Sequence, residues 1–473
     1  MSAERILLSG GEPGGELEIG EDSVVRRLRP VPWNDVEPRL QAIGGLHERL
    51  GLVPWSRVES PGDGVILRHP RVRVISYPHE WCGEMLHDAA LLHCDLLAAV
   101  STHGLALKDA HPWNVLFDGA RPKFVDVSSI VRPEDLAGLD YLRAAGPHAQ
   151  DRAYEVLRVM FLPYFLTPLA FHHAGAGGAA RSVLWRYALN GAHRDPRLGD
   201  YRGPPSDWRR LLRGWAAAWR AAADFKRARG AGSVQQLAST LGKLVGTLFP
   251  PLPQSDYTDY YALKKEDADL RDSRTWNAKQ RNAIAALDVP EVGSVLDVAC
   301  NTGWYARAAA LRGKRVTAVD VDGACISMLY REVRERSEDV VPLVADVTRL
   351  SPERHRQGGG LLMIDAQRRL RSDAVLALGI LHHLVLGSGL PLAQALQRIS
   401  ALASRRLVVE FVGREDEKVR AEPAFFPAHA RDPGAFADFT LDKARTALAR
   451  LGWRSEALPS HPSTRTLLVC SRA

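Results

Sequence analysis

Residues 294–322, SVLDVACNTGWYARAAALRGKRVTAVDVD, decide how this chain is read. Ser294–Ala299 is a short aliphatic and β-branched run with Asp297 near its end. A small polar loop, Cys300–Gly303, follows, and residues 304–312 have helical composition closed by Gly313. RVTAVD then returns as a second apolar strand ending in Asp320. A strand, a tight turn, a helix and an acid-terminated strand make the opening unit of a parallel sheet with crossover helices. Such a turn brings backbone close to a ligand, and an acid roughly 20 residues on accepts hydrogen bonds from ribose hydroxyls. Asp297 and Asp320 are 23 positions apart. The turn lacks G-x-G-x-x-G, with Asn301 and Thr302 where a pyrophosphate requires bare backbone, which argues against a dinucleotide.

Downstream, VVPLVADVTRL predicts a third strand leading to Asp346, and SDAVLALGILHHL a fourth running into His382 and His383. RRLVVEFVG predicts a fifth strand reaching Glu410, and SEALPSHPSTRTLLVCSR two closing strands. With LDVACNTG, VTAVDVD, VADVTRL and DAVLALGILHHL as its motifs, the series resembles the class I S-adenosylmethionine-dependent methyltransferases over about residues 255–473. The resemblance implies an α/β fold with a Rossmann-like seven-stranded sheet and S-adenosylmethionine as cofactor; the scattered cysteines, without a CxxC, lead us to expect no metal. The resemblance also implies that Asp297, Asn301 and Gly303 lie along the methionine part, with Ala299 and Cys300 in the same cofactor-binding loop, that Asp320 takes the ribose hydroxyls, that Asp346 lies near the adenine amino group and that Leu378 borders the cofactor. The family usually carries Gly where Ala299 stands.

Methyl transfer from a sulfonium needs mainly an aligned acceptor and the exclusion of water. A base is required only for a hydroxyl or a protonated amine, and His382 or His383 is the candidate because imidazole titrates near neutrality. The same His-His run also occurs in the family without a catalytic role. Tyr257, Tyr260, Trp276 and Glu410 flank the expected crevice and are the candidate acceptor contacts.

The N-terminal half reads differently. GEMLHDAALLHCDLLAAVSTHG predicts a long helix, LALKDAHPWN a loop and NVLFDGARPKFVDVSS a hairpin. Asp109, Asn114 and Asp126 punctuate this stretch, which resembles the catalytic and metal-binding segment of protein and aminoglycoside kinases. There the first Asp orients the acceptor hydroxyl, and the Asn and second Asp hold magnesium on the phosphates. Leu107-Lys108 stand where His-Arg is usual, Val127-Ser128 replace Phe-Gly, and no upstream V-A-I-K-type strand offers an anchoring lysine. The expectation is an α+β kinase-like region that has lost phosphotransfer and shapes acceptor binding. Together SYPHEW, HDAALLHCDLL, FLPYFLTPLA and VVEFVGREDEKV resemble a NoeA-like family of bacterial methyltransferases across most of the chain.

The organisation expected is a kinase-like region over 1–150, a helical bridge over 151–250 and the methyltransferase domain over 251–473, the proline-rich FPPLPQSDYTDYY marking the last boundary. Glycine patches GGEPGG, HAGAGGAA and QGGG read as loops. At 473 residues, with 46% hydrophobic and 25% charged, the composition is globular and excludes disordered, collagen-like and disulfide-scaffold proteins. No apolar run reaches the roughly 18–20 residues of a membrane span, and VMFLPYFLTPLAF, broken by Pro163 and Pro168, reads as buried helix. Five scattered cysteines and no secretory leader pattern lead us to expect a cytoplasmic protein, and the lack of a spanning run one without membrane partners. The net charge of +7 is spread among acids, as in RREVRERSEDV, which argues against a nucleic-acid face. The reading is a methyltransferase acting on a small-molecule or glycan-type acceptor. The alternatives are a bifunctional methyltransferase and phosphotransferase, or a non-enzymatic binding protein with vestigial sites.

Overall fold

The computed structural model describes residues 6–9, 16–28, 33–59, 65–139, 142, 145–187, 197–264, 266–355 and 361–472. The chain divides into two compact units, residues 1–253 with 353–364, and residues 254–352 with 365–473.

The second unit is built on a seven-stranded sheet, as expected. Its strands are β1 (Ser294–Val298), β2 (Arg315–Asp320), β3 (Val340–Val344), β4 (Ser372–Ala377), β5 (Ala403–Phe411), β6 (Trp453–Pro459) and β7 (Thr466–Arg472). They lie in the order β3-β2-β1-β4-β5-β7-β6. β1 to β5 are parallel, and β7 is antiparallel to both β5 and β6. The inner strands are apolar throughout because helices cover both faces, so no alternation is needed. In β1, Val295, Leu296 and Val298 are all buried, and in β4 so are Ala374, Val375, Leu376 and Ala377. The order reverses between β1 and β4, and ligands bind outside the carboxyl ends of the strands at such a point in sheets of this kind.

The first unit begins with a five-stranded antiparallel sheet in the spatial order Ile6–Ser9, Glu16–Ile19, Ser23–Leu28, Val65–Pro70, Ser56–Val58. The expected long helix spans Gly83–Thr102, and the expected hairpin pairs Val115–Asp118 with Arg121–Phe124. Helices then dominate to Thr247. Residues 159–171 are helical, with Pro163 taken up in a widened stretch, Leu157–Leu166, and Phe161, Phe165, Leu169 and Phe171 wholly buried. Of the glycine patches, HAGAGGAA is a turn leading into helix Gly177–Tyr187, whereas GGEPGG and QGGG lie outside the described residues.

One element was not expected. Residues 353–364 leave the second unit after β3 and complete the core of the first. Met363 and Ile364 pack with Ile19, Ile75 and Tyr77, and the Ile364 amide donates to the Tyr77 hydroxyl at 2.9 Å.

Candidate active site

The loop after β1 turns sharply enough to put three residues in the left-handed region: Ala299 (φ 57°), Asn301 (φ 54°) and Gly303 (φ 82°). Gly303 has a second reason to be glycine, since a Cβ there would lie 2.4 Å from the Leu329 side chain. Ala299 stands where the resemblance leads one to expect Gly, and it carries the strain of a Cβ at positive φ. The turn is fastened from the next strand. Asp320 accepts from the Asn301 amide (2.8 Å) through one carboxylate oxygen and from the Asp322 amide (2.9 Å) through the other. Residues just upstream fasten it as well. The Asn301 side-chain amide donates to the Tyr257 carbonyl (2.9 Å), and the Tyr261 hydroxyl donates to the Cys300 carbonyl (3.3 Å).

Two carboxyl groups meet at this turn. Asp297 is buried and its Oδ2 accepts no hydrogen bond. Burial, and then the charge of Asp320, push its pKa up to about 8. Burial also raises the Asp320 pKa. Asp346, at the end of the third strand, accepts from the Thr348 amide (2.8 Å) and hydroxyl (2.6 Å) through Oδ1. Leu378 is buried just before Gly379, which turns the chain at φ 66°. Burial holds the Cys300 thiol well above its ordinary pKa, so it stays protonated and only fills space.

The His383 ring stacks on Phe426, and the His382 ring lies tilted against both of them. Burial, then His383, Arg465 and Lys418, hold His382 well below the ordinary histidine range. Burial and the same two cations bring His383 down to about 4. Both imidazoles are therefore neutral at physiological pH. Tyr257 sets its ring edge-on to Phe425 at 6.4 Å, and the Lys418 ammonium lies 5.3 Å over the Tyr260 ring. Trp276, expected among the acceptor contacts, is buried and packed on its neighbours. Its indole N–H donates to the Asp269 carbonyl (2.7 Å), and its ring meets Trp304 edge-on with Arg312 stacked over it. Glu410, expected at the crevice edge, is fully buried. It accepts from the Ser460 hydroxyl (2.7 Å) and pairs with Lys279 (3.1 Å), which also faces Glu266 (3.8 Å). Burial alone would lower the Lys279 ammonium, but Glu410, Tyr305 and Glu266 outweigh it and hold the pKa above the ordinary lysine range. Sequence reasoning missed Lys279, because a single lysine on a helix carries no local mark of the strand end it serves.

In the first unit Asp109, Asn114 and Asp126 converge on one hydroxyl. Ser129 Oγ donates toward Asp109 (3.1 Å) and Asp126 (2.8 Å), and Asn114 Nδ2 donates to it at 3.1 Å. Arg26, from strand Ser23–Leu28, lies 2.9 Å from Asp126 Oδ1, which also accepts from the Ser128 amide and hydroxyl. Burial would raise the Asp126 pKa, but Arg26, Ser128, Lys108 and Ser129 hold it at about 2. These residues do not fit a magnesium ion: both Asp126 oxygens are engaged and a guanidinium already neutralises the charge. Among the described residues no group of three or more His, Cys, Asp or Glu side chains could hold a metal.

No protein-family model matches the chain. It is 28% identical over 452 residues to the nodulation protein NoeA of Rhizobium meliloti (strain 1021), covering 88% of this chain and 86% of that one. Among solved structures it is similar to magnesium protoporphyrin IX methyltransferase (ChlM) from Synechocystis PCC 6803 with bound SAH, at 14% identity and a TM-score of 0.29, over 54% of this chain and 95% of that one. It is also similar to the N-methyltransferase NodS of Bradyrhizobium japonicum WM9, at 14% identity and a TM-score of 0.29, over 41% of this chain and 93% of that one. Values this low fix neither family nor activity.

Two expectations follow from the turn. Ala299→Gly removes a strained Cβ, offset in part by the freer unfolded chain, and should stabilise by up to about 1 kcal/mol. Gly303→Ala adds strain and an overlap with Leu329 and should cost more than about 2 kcal/mol. Urea unfolding of both variants checks the contrast; an equal loss in each would show that the turn is not under this constraint. The second concerns pH. Asp297 has a folded pKa raised above its unfolded value, so its stabilising contribution is complete below about pH 4 and is lost as pH rises through about 8. The slope is at most about 1.4 kcal/mol per pH unit. Asp297→Asn should remove that slope, so its melting temperature should gain on wild type between pH 5 and 8, and parallel curves would refute the raised pKa.

Proposed function

We propose that the chain is an S-adenosylmethionine-dependent methyltransferase that acts on a small-molecule or glycan-type acceptor. The observation that carries the reading is the left-handed turn 299–303 at the point where the strand order reverses, fastened by Asp320 from the neighbouring strand end. When bound, the cofactor supplies a methyl group on a positively charged sulfur. Asp320 suits the ribose hydroxyls, the turn offers bare backbone at Ala299 and Gly303, and Asp297 offers an unbonded carboxyl oxygen to the ammonium of the methionine part. Asn301 and Cys300 place that backbone, Leu378 lines the apolar side and Asp346 borders the adenine.

The acceptor side is read from Tyr257, Tyr260 and the two histidines. A neutral His382 or His383 can accept a hydrogen bond from an acceptor hydroxyl or amine and keep it oriented. Their lowered pKa values make them weak bases, so alignment and dryness do most of the work. Glu410 and Lys279 act behind this layer by fixing the end of β5. The neutral crevice acid Asp297 can ionise as a cationic ligand arrives, which couples cofactor binding to proton release.

The first unit we read as a kinase-like remnant that contributes to acceptor choice and not to phosphotransfer. The Arg26–Asp126 pair supports this, because it stands where a metal would be needed.

Calorimetric titration with S-adenosylhomocysteine tests the first reading. Asp320→Ala loses charge-assisted hydrogen bonds worth roughly 1.5–3 kcal/mol each, so affinity should fall at least about tenfold. Equal affinities in wild type and variant would remove the assignment. For the remnant, the wild-type melting temperature should not move with magnesium and ATP, and no phosphate should be released; a magnesium-dependent ATPase lost in Asp126→Ala would restore the bifunctional reading.

A further inference from the structure

The helix Trp208–Arg227 carries more than one stripe of side chains. Leu211, Gly214, Ala218, Ala221 and Phe225 recur at three- and four-residue steps and are buried in the first unit. That stripe explains the packing of the helix; a Cβ on Gly214 would lie 2.6 Å from the Phe171 ring. A second stripe, Trp208, Leu212, Trp215 and Trp219, recurs at steps of four, three and four residues. At about 100° per residue its members fall within roughly 60° of one another, on a flank turned away from the buried one. Trp208 is 54% exposed, Leu212 48% and Trp219 69%. Trp208, Leu212 and Trp219 are left at the surface, whereas Trp215 between them is half-buried and engaged; large apolar side chains grouped on a surface mark an interaction site.

Beside this flank runs a row of cations. Arg209, Arg213 and Arg220 are exposed and lie about 100° further round the helix. No acid occurs in the sequence between Asp207 and Asp224. Among the described residues, no carboxylate lies within ion-pair distance of these three arginines, whereas Arg210 and Arg227 pair with those two flanking acids. The Arg209 guanidinium lies 5.2 Å from the centre of the Trp208 ring.

We infer that this flank docks the chain on an anionic membrane surface, with the tryptophans at headgroup depth and the arginines on lipid phosphates. Indole rings favour the boundary between headgroups and acyl chains, and guanidinium groups bind phosphate through two parallel hydrogen bonds. The three unpaired cations call for an anionic partner. A straight, convex helix flank about 16 Å long between Trp208 and Trp219 suits a plane better than a groove. No helix among the described residues is long and apolar enough to cross a membrane. The expectation of no membrane partner rested on the same lack of a spanning segment, and lying on a surface requires none.

The test is flotation of the full chain with phosphatidylcholine vesicles, pure or with about a third phosphatidylglycerol, alongside a single-stranded oligonucleotide and light scattering for oligomers. The wild type should bind the anionic vesicles with a shift of tryptophan emission to shorter wavelength, bind pure phosphatidylcholine far less, and release as salt rises. The combined Arg209→Glu, Arg213→Glu and Arg220→Glu variant should partition at least about tenfold less. The combined Trp208→Ala, Leu212→Ala and Trp219→Ala variant should lose the emission shift while both variants keep the wild-type melting temperature. Equal partitioning of wild type and arginine variant overturns the inference. So does oligonucleotide binding without vesicle binding, or a dimer abolished by the tryptophan variant in a chain that ignores vesicles.

Discussion

Between Val298 and Trp304 the backbone must reverse within a few residues while leaving room for a ligand at the carboxyl end of the central strand. It does so through three left-handed residues, only one of them glycine. That turn holds because the Asp320 carboxylate receives the Asn301 amide and because Tyr257 and Tyr261 are bonded to the same loop. One carboxylate thus has two tasks, to brace the turn and to face the crevice. Burial first, and then the Asp320 charge, raise the pKa of the Asp297 carboxyl. The helix that follows the turn begins directly at Trp304, whose indole N–H reaches back to the Ala268 carbonyl at 2.7 Å. The segment ahead of β1, the turn and the first crossover helix are therefore one mechanical piece.

The two units show buried charge handled in two ways. Around Lys279 the sheet end gathers Glu266, Glu410 and the Tyr305 ring, and the cation is what makes two buried carboxylates tolerable together. Removing the lysine would leave them uncompensated, which is far more costly than the pair is stabilising. Around Asp126 the cation is Arg26, and a network through Ser128 and Ser129 satisfies what the arginine does not. The first arrangement borders a crevice with unbonded polar atoms left over, among them Asp297 Oδ2 and His382 Nδ1. In the second, both Asp126 oxygens and the Ser129 hydroxyl are engaged and the atom left over is a donor, Arg26 Nε; on that difference in free carboxylate oxygen rests our proposal of chemistry in one unit and not in the other.

What could be read in advance was what the chain writes locally. The strand, turn and helix of residues 294–322 are contiguous, so periodicity and a terminal acid were enough to place them, and the seven-stranded sheet followed from the alternation of short apolar runs with helices. The pairs that fix the sites are remote in sequence. Arg26 meets Asp126 across the chain, Lys279 meets Glu410, and Tyr77 receives Ile364. Nothing near any one of these residues names its partner. Trp276 shows the same limit: an aromatic ahead of the first strand looks like a wall, and nothing beside it in the sequence shows that its indole N–H is bonded to the Asp269 carbonyl. The departure of residues 353–364 into the first unit was also hidden, since RHRQGGGLLMI reads equally as a surface loop or as a core hairpin.

The central claim is that the crevice at the end of β1 holds S-adenosylmethionine. The most direct measurement is ultraviolet cross-linking of the methyl-labelled cofactor to the full chain, followed by peptide mapping. The account predicts label within residues 255–350 or 372–412, competed away by S-adenosylhomocysteine. Label confined to residues 1–250, or none that the competitor displaces, would contradict it.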